Sequence, residues 1–337
     1  MFACAKPRVP VPAIDLRATG DTLQLSFVAI PEAASLPDGR WVIVAPGERQ
    51  VAIADLATRK IIPIGGVKSA EYRQPFSIFR FGDSLYVGDW GLQRTTVWTP
   101  AGKLVGSVPA PSGLRGVLPE GRDAEGQFYL ELAPRPGPDG SGNRDSAVVL
   151  RASADFSRVD TVARLAPIDL AKVTGDAGRR FERRVLSGKD CWGVLPDGTV
   201  WVARVYQNRV DWIARQGRVT PGAPLPDRVL TVTEADREVF LRQFPEELRA
   251  TAEQLPFALV KPPFEAAHTA PDGNVWLEKS RAIGDSVRSY QVVNRLGVLV
   301  REVRHPGRGH VIALSGTMAL VAEPFESGER LVTYRLP

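Results

Sequence analysis

Along this chain the apolar residues fall in short runs, some alternating with polar residues and some continuous over a strand's length, and the runs recur behind a common acid-glycine phrase. It reads LPDGRWVIV at 36–44, FGDSLYVGD at 81–89, DAEGQFYLE at 123–131, LPDGTVWVA at 195–203 and APDGNVWLE at 270–278, with a degraded form, LSGTMALVA, at 314–322. The acid-glycine pair suits a tight reversal that needs positive φ, and the β-branched and aromatic residues behind it suit a half-buried strand. Each phrase therefore predicts a hairpin.

The flanking pattern enlarges each hairpin into a four-stranded unit. Upstream lies a short apolar strand, as in SIFRF (77–81), CWGVL (191–195) or HVIAL (310–314). Downstream come a second alternating strand, as in RVDWIARQG (209–217) or YQVVNRLG (290–297), and an outer one, as in KLVGSV (103–108) or VLVREV (298–303). Four antiparallel strands repeated about every 40 to 50 residues define a propeller blade. With Asp38, Asp83, Glu125, Asp197, Asp272 and Gly316 as markers, the spacings are 45, 42, 72, 75 and 44.

The two long intervals predict insertions rather than extra blades. In the first, PDG at 138–140 is followed by polar SGNRDS instead of a strand, SAVVLRAS (146–153) and VDTVARL (159–165) complete blade three, and 168–190 reads as polar and partly helical. In the second, Thr231 and Glu234 resemble a capping box, EADREVFLRQF (234–244) has helical apolar spacing, Pro245 interrupts, and EELRATAEQL (246–255) resumes. The expectation is an all-β, six-bladed propeller over 13–337 with a helical insertion at 232–255 and a flexible lead-in at 1–12. Strand material at 13–30, before the first marker, is expected to complete the last blade and close the ring, removing its exposed edges.

Composition agrees with short strands and turns: 31 Gly and 28 Pro are spread along 337 residues rather than gathered into a linker. The formal charge is +5, but basic and acidic residues are intermixed, so no nucleic-acid surface is expected. The two cysteines, Cys4 and Cys191, provide neither a disulfide framework nor a zinc motif, and no apolar stretch is long enough for a transmembrane segment. Phosphate-loop, GxSxG, HExxH and GxGxxG phrases are absent, so no cofactor is expected. Met1 to Cys4, with the Pro-rich stretch behind them, resemble the end of a bacterial lipoprotein signal, which implies a lipid anchor at Cys4 and an extracytoplasmic place, periplasmic or membrane-attached. An ordinary frayed N-terminus is the competing reading and leaves a cytoplasmic location open.

The repeat, together with the Pro263-Phe264 to Trp276 phrase behind a charged insertion, resembles six-bladed propellers of the broad NHL, TolB-like and gluconolactonase-like superfamily, including uncharacterised bacterial members. The resemblance implies the fold and leaves activity open, since such folds host lactonases, lyases, hydrolases and binding scaffolds. Glu32, six residues before Asp38, is similar to the metal-holding Glu of the gluconolactonase type, but the few asparagines, Asn274 and Asn294 among them, are poorly placed, and the metal site is not carried over. Glu265 and His268 resemble an acid/base pair of the streptogramin-lyase type. Three residues apart on a strand they face opposite ways, which favours a satisfied structural role for His268.

Ligands of closed propellers meet the channel where the innermost strands begin. The candidate binding residues are therefore Glu32, Phe76, Arg115, Trp192 beside Cys191, Glu265 and His310. Arg115 could clamp an anion, Trp192 stack on a ring and Glu265 serve as base or cation ligand, while salt bridges and wedges between blades are the structural alternatives. Cys191 is read as a core thiol, not a nucleophile. A monomeric scaffold binding a ligand or protein is expected. The alternative is a hydrolase or lyase using Glu265, Arg115 and His310.

Overall fold

Four of the six turn phrases, those of blades one, three, four and five, close on the same backbone bond, and that bond sets the register of their blades. Leu36, Asp123, Leu195 and Ala270 donate their N–H groups to the carbonyls of Arg40, Gln127, Thr199 and Asn274 over 2.8–3.1 Å. The glycine inside each loop, Gly39, Gly126, Gly198 or Gly273, has φ between 78° and 87°, which a side chain would strain. The computed structural model describes residues 11–65, 71–114, 116–134, 146–175, 178–326 and 328–337. Cys4 and the 138–140 stretch lie outside the described residues.

Strands β1 (Ala13–Asp15) and β2 (Arg17–Leu25) come first and serve the end of the chain. Blade one is β3 (Glu32–Ser35), β4 (Trp41–Ala45), β5 (Gln50–Asp55) and β6 (Lys60–Gly65), and blade two is β7 (Pro75–Phe81), β8 (Ser84–Asp89), β9 (Arg94–Trp98) and β10 (Leu104–Pro109). Blade three is β11 (Gly121–Arg122), β12 (Phe128–Leu132), β13 (Val148–Ala152) and β14 (Val159–Arg164). A separate hairpin, β15 (Leu170–Gly175) and β16 (Gly178–Arg183), precedes blade four, β17 (Cys191–Val194), β18 (Val200–Arg204), β19 (Arg209–Ile213) and β20 (Val219–Thr220). Helices α1 (Glu234–Leu241) and α2 (Glu246–Glu253) precede blade five, β21 (Phe264–Thr269), β22 (Val275–Lys279), β23 (Val287–Val293) and β24 (Leu299–Pro306). Blade six is β25 (His310–Leu314), β26 (Met318–Phe325) and β27 (Gly328–Arg335).

The six innermost strands, β3, β7, β11, β17, β21 and β25, each touch the next, and β25 touches β3, closing a ring about a central channel. β2 pairs antiparallel with β27 as the fourth strand of blade six, with Leu23 opposite Leu331 and the Thr19 and Thr333 hydroxyls 2.6 Å apart. That is the closure expected from residues 13–30. β1 goes further, pairing parallel with β24 as a fifth strand of blade five.

The core lies between blades rather than in one central mass. Val42 and Ile53 of blade one pack with Ile78 and Leu85 of blade two, Tyr129 of blade three with Val200 of blade four, and Trp201 of blade four with Phe264 of blade five. The repeated aromatic of the turn phrase, Trp41, Tyr86, Tyr129, Trp201 or Trp276, is thus a wedge of every joint but the one between blades one and two, where Tyr72 and Trp98 take that place. Trp201 is wholly buried and donates its indole N–H to Thr269 Oγ1 across the joint, 2.9 Å away. Truncating such a wedge to alanine typically costs about 3–5 kcal/mol.

Two sequence expectations are corrected. Within residues 168–190 the chain forms the β15–β16 hairpin, not a partly helical stretch, because its two halves satisfy each other's backbone hydrogen bonds as antiparallel strands, from Leu170 opposite Arg183 to Gly175 opposite Gly178. The α1 cap is Thr233, not Thr231: its hydroxyl accepts from Asp236 N, and the Asp236 carboxylate accepts from Thr233 N in return. The helices themselves stand inside the expected 232–255. No helix among the described residues is long and apolar enough to cross a membrane.

Both insertions enter where an outer strand leads to the next innermost strand, so both stand at the end of the channel where the innermost strands begin. They are stitched together there, Val185 N donating to Pro256 O (2.7 Å) and Ala258 N to Val185 O (2.9 Å). A cleft of about 570 Å³ opens between them, lined by Tyr206, Val229, Leu259 and Val260 and reaching Gly188, beside Lys189.

Candidate functional site at the channel mouth

The innermost strands run the same way along the channel: Ile78 N donates to Glu32 Oε2 (3.2 Å) near their starts, and Arg80 Nη1 to Ser35 O (3.3 Å) near their ends. Their starts therefore ring one mouth. Glu32 opens β3, Phe76 follows the first residue of β7, Glu120 immediately precedes β11, Lys189 and Asp190 precede Cys191 and Trp192 of β17, Glu265 is second on β21, and His310 opens β25. Of the residues expected here, Arg115 alone lies outside the described residues.

Three carboxylates and one ammonium meet on the side formed by blades one, three and four. Glu120 is in electrostatic reach of Glu131, Glu32 and Lys189, and Glu32 of Lys189. Glu32 and Glu120 are both exposed to solvent, and the protein crowded around them in the channel is nonetheless the main influence on their protonation. It pushes Glu32 up to about 7 against the opposing effects of the Ile78 amide and Lys189. Glu120 rises to about 8, because Glu131 and Glu32 add repulsion that Lys189 only partly relieves. Trp192 closes this side by donating its indole N–H to Glu131 Oε2 at 2.8 Å.

Asp190 positions the strand start between these groups. Its wholly buried carboxylate accepts from Ala166 N, Val205 N and Arg204 Nη1, each at 2.9 Å. Asp89 repeats the device in blade two, accepting from Arg73 N, Gln74 N and Leu92 N over 2.7–3.1 Å. Burial pushes the Cys191 thiol up to about 11, which leaves it protonated and weakly nucleophilic near neutrality.

The side formed by blades five and six is imidazole-rich. Glu278, paired with Arg288, also accepts from Tyr290 Oη (3.3 Å), and Tyr290 Oη accepts from Val311 N (3.0 Å), next to His310. Burial, assisted by Arg288 and His305, pushes His310 down to about 4. His268 falls to about 4 through burial and the nearby His310. The expected satisfied His268 is not what the structure shows: its Nε2 is buried and has no hydrogen-bond partner among the described residues. By the shared turn bond, His268 stands at the level of Ala34, Gly121 and Gly193 in blades one, three and four.

Phe76 packs against Trp90 with ring centroids 5.6 Å apart, and Glu265 faces solvent within electrostatic reach of Glu278. Sequence reasoning missed Glu120, Glu131 and Lys189. The six-residue interval from Glu32 to Asp38 and from Cys191 to Asp197, applied to Glu125, lands on Pro119, beside Glu120, whereas Arg115 lies ten residues back. Glu131 carries no such signal, as its role depends on Trp192 reaching it from the next blade. Around the mouth the rim is apolar, with Val28, Trp90, Tyr206, Val229, Leu259 and Ile283 all exposed, Leu259 by 83%.

No family profile and no curated protein matches the chain. The fold, a six-bladed β-propeller, is shared with solved structures. An inferred exported protein of Bacteroides fragilis is 8% identical with a TM-score of 0.54, the match covering 97% of this chain and 99% of that one. A member of the DUF4221 family from Bacteroides vulgatus is 10% identical at TM-score 0.51, with 95% and 97% covered. Virginiamycin B lyase from Staphylococcus aureus is 9% identical at TM-score 0.50, with 94% and 98% covered.

Proposed function

We propose that this propeller is a ligand-binding scaffold acting outside the cytoplasm, with its site at the channel mouth. The observation that carries the reading is the meeting of Glu32, Glu120, Glu131, Lys189 and Trp192, drawn from three blades, at one end of the channel. The exposed apolar rim around them supports a surface that receives a ligand or protein. The lipoprotein-like Cys4 segment and the exported fold relative support the extracytoplasmic place.

A hydrolase or lyase is the second reading, favoured by one observation: Glu32 and Glu120 are carboxyls poised near neutral pH, the range in which general acid–base groups work. A metabolite panel, read by thermal shift with wild type and Trp192→Ala, tests the binding role. At a ligand concentration about 100 times Kd, a true ligand adds about 2.7 kcal/mol to stability. The expected result is a hit that Trp192→Ala loses. Hits indifferent to the mouth would contradict the site, and turnover of a hit abolished by Glu120→Gln would move the assignment to the enzyme reading.

A further inference from the structure

We propose that the joint between blades four and five holds a second binding site, apart from the channel mouth, which takes a neutral polyol the size of a single sugar ring. A cavity of about 280 Å³ lies there, against the face of β23 that carries Val287, Ser289 and Gln291 in alternation. Pro226 and Leu230, from the chain leaving blade four, also wall it, and none of Glu32, Glu120, Glu131, Lys189 and Trp192 does.

The repeat supplies its own comparison for this place. The phrases PDGTVWVAR of blade four and PDGNVWLEK of blade five match position for position, so Arg204 corresponds to Lys279, and Asp211, opposite Val202, to Gln291, opposite Leu277. In blade four the two close on each other, Arg204 Nε donating to Asp211 Oδ2 at 3.0 Å while its Nη1 donates to Asp190 Oδ2 at 2.9 Å. In blade five both turn to the chain that leaves blade four: Lys279 Nζ donates to Asp227 Oδ1 (3.1 Å) and Gln291 Nε2 to Pro226 O (2.8 Å). The pair that is joined in blade four thus lines a cavity in blade five.

That arrangement leaves hydrogen-bonding capacity unused. A carbonyl only accepts, so Pro226 O fixes which end of the Gln291 amide is the donor, and the oxygen is the end left over. Gln291 is only 6% exposed, and its Oε1 has no hydrogen-bond partner among the described residues. Ser280, also on the cavity wall, has a buried Oγ without one. Buried polar atoms are costly to leave unmet, and a ligand that supplies their partners relieves that cost.

What is unmet, and the charge around it, select the class. Gln291 Oε1 requires a donor, which a carboxylate or phosphate lacks, while the Lys279 ammonium has three donors and gives one to Asp227. Charges on the wall balance, Arg228, Lys279 and Arg281 against Asp227, Asp285 and Glu302, so the wall as a whole draws in neither an anion nor a cation. A hydroxyl both donates and accepts, and adjacent hydroxyls on one ring can meet an amide oxygen, a serine hydroxyl and an ammonium together. The volume, about 280 Å³, falls just below the range of about 300–1,000 Å³ that drug-sized ligands fill, which suits one ring.

The test is titration of the full chain with D-glucose, D-galactose and D-mannose, read by calorimetry and by the side-chain amide resonances of Gln291, assigned through their loss in Gln291→Leu. At least one hexose is expected to bind with a Kd of about 1 mM or below and to shift those resonances. Ser280→Ala removes no hydrogen bond made by the side chain within the described residues, so it should fold as wild type does and weaken the hexose by about three- to tenfold. Gln291→Leu should weaken it by about tenfold or more.

Tighter binding of the uronic acid or amino-sugar forms of the same rings, lost in Gln291→Leu, would overturn the neutral class and leave the cavity as a site. Hexose binding indifferent to Ser280→Ala and Gln291→Leu, or lost in Trp192→Ala instead, would overturn the site. Failure of all three hexoses to bind would overturn the proposal and leave the channel mouth untouched.

Discussion

Asp190 shows how one side chain ties the fold to the site. A carboxylate with no solvent exposure accepts two backbone N–H groups and the Arg204 guanidinium, and its neighbours in sequence are Lys189 and Cys191. Asp190→Ala removes the acceptor, leaves two amides unmet and strips Arg204 of one of its two carboxylate partners, Asp211 remaining, so it is expected to cost about 3 kcal/mol, measured by denaturant unfolding. Glu32 and Glu120 have the opposite character. Their pKa values are raised in the folded state, so between the unfolded value of a glutamate and about 7 to 8 the folded protein keeps protons that the unfolded chain has lost. Their contribution to stability is complete at low pH and disappears as pH rises through about 8. The double variant Glu32→Gln, Glu120→Gln is therefore expected to show a flatter decline in Tm than wild type from about pH 5 to about pH 8; parallel curves would refute it. Glu32 was legible in the sequence because it opens a strand at a fixed interval from a turn. Glu120 was missed because blade three's turn, Asp123-Ala124-Glu125-Gly126, lacks the Pro-Asp-Gly form that fixes the count elsewhere.

At the level of elements, hairpins with an acid-glycine turn were readable because local chemistry determines them. The insertions were less readable because partners outside the segment decide their form. Residues 170–183 carry arginines on the returning strand and little apolar alternation, so their pairing is a matter of backbone hydrogen bonding and of the neighbouring helical insertion. The cap moved from Thr231 to Thr233 for a similar reason: Thr231 is held in an antiparallel bridge with Val260, which leaves Thr233 free to start the helix. Asp236 is also paired with Lys261 at 2.6 Å, so the cap fastens α1 to the chain returning toward blade five. Thr233→Ala is expected to cost about 1 kcal/mol and to raise amide exchange in α1 while the blade strands remain protected. Uniform exchange throughout the protein would show instead that the helices and the ring open as one unit.

On the scale of the whole molecule, closure is the property on which the channel depends. Blade six has only three strands of its own, and β2 supplies the fourth by pairing with β27 while Leu23 joins the joint between blades six and one. Removing residues 1–25 should expose the β27 edge and that joint, giving a chain that aggregates or loses cooperative unfolding in calorimetry; unchanged cooperative unfolding would show that β2 does not close the ring. A closed ring matters to function because the mouth groups come from separate blades and meet only when every joint is in register: Glu32 from blade one, Glu120 and Glu131 from blade three, Lys189 and Trp192 from blade four. The most direct test of the mouth as the ligand site is calorimetric titration of the strongest panel ligand into wild type and into the triple variant Glu32→Gln, Glu120→Gln, Trp192→Ala. A loss of affinity of about 100-fold or more, with the variant still folded, is the predicted result; an unchanged Kd would contradict it.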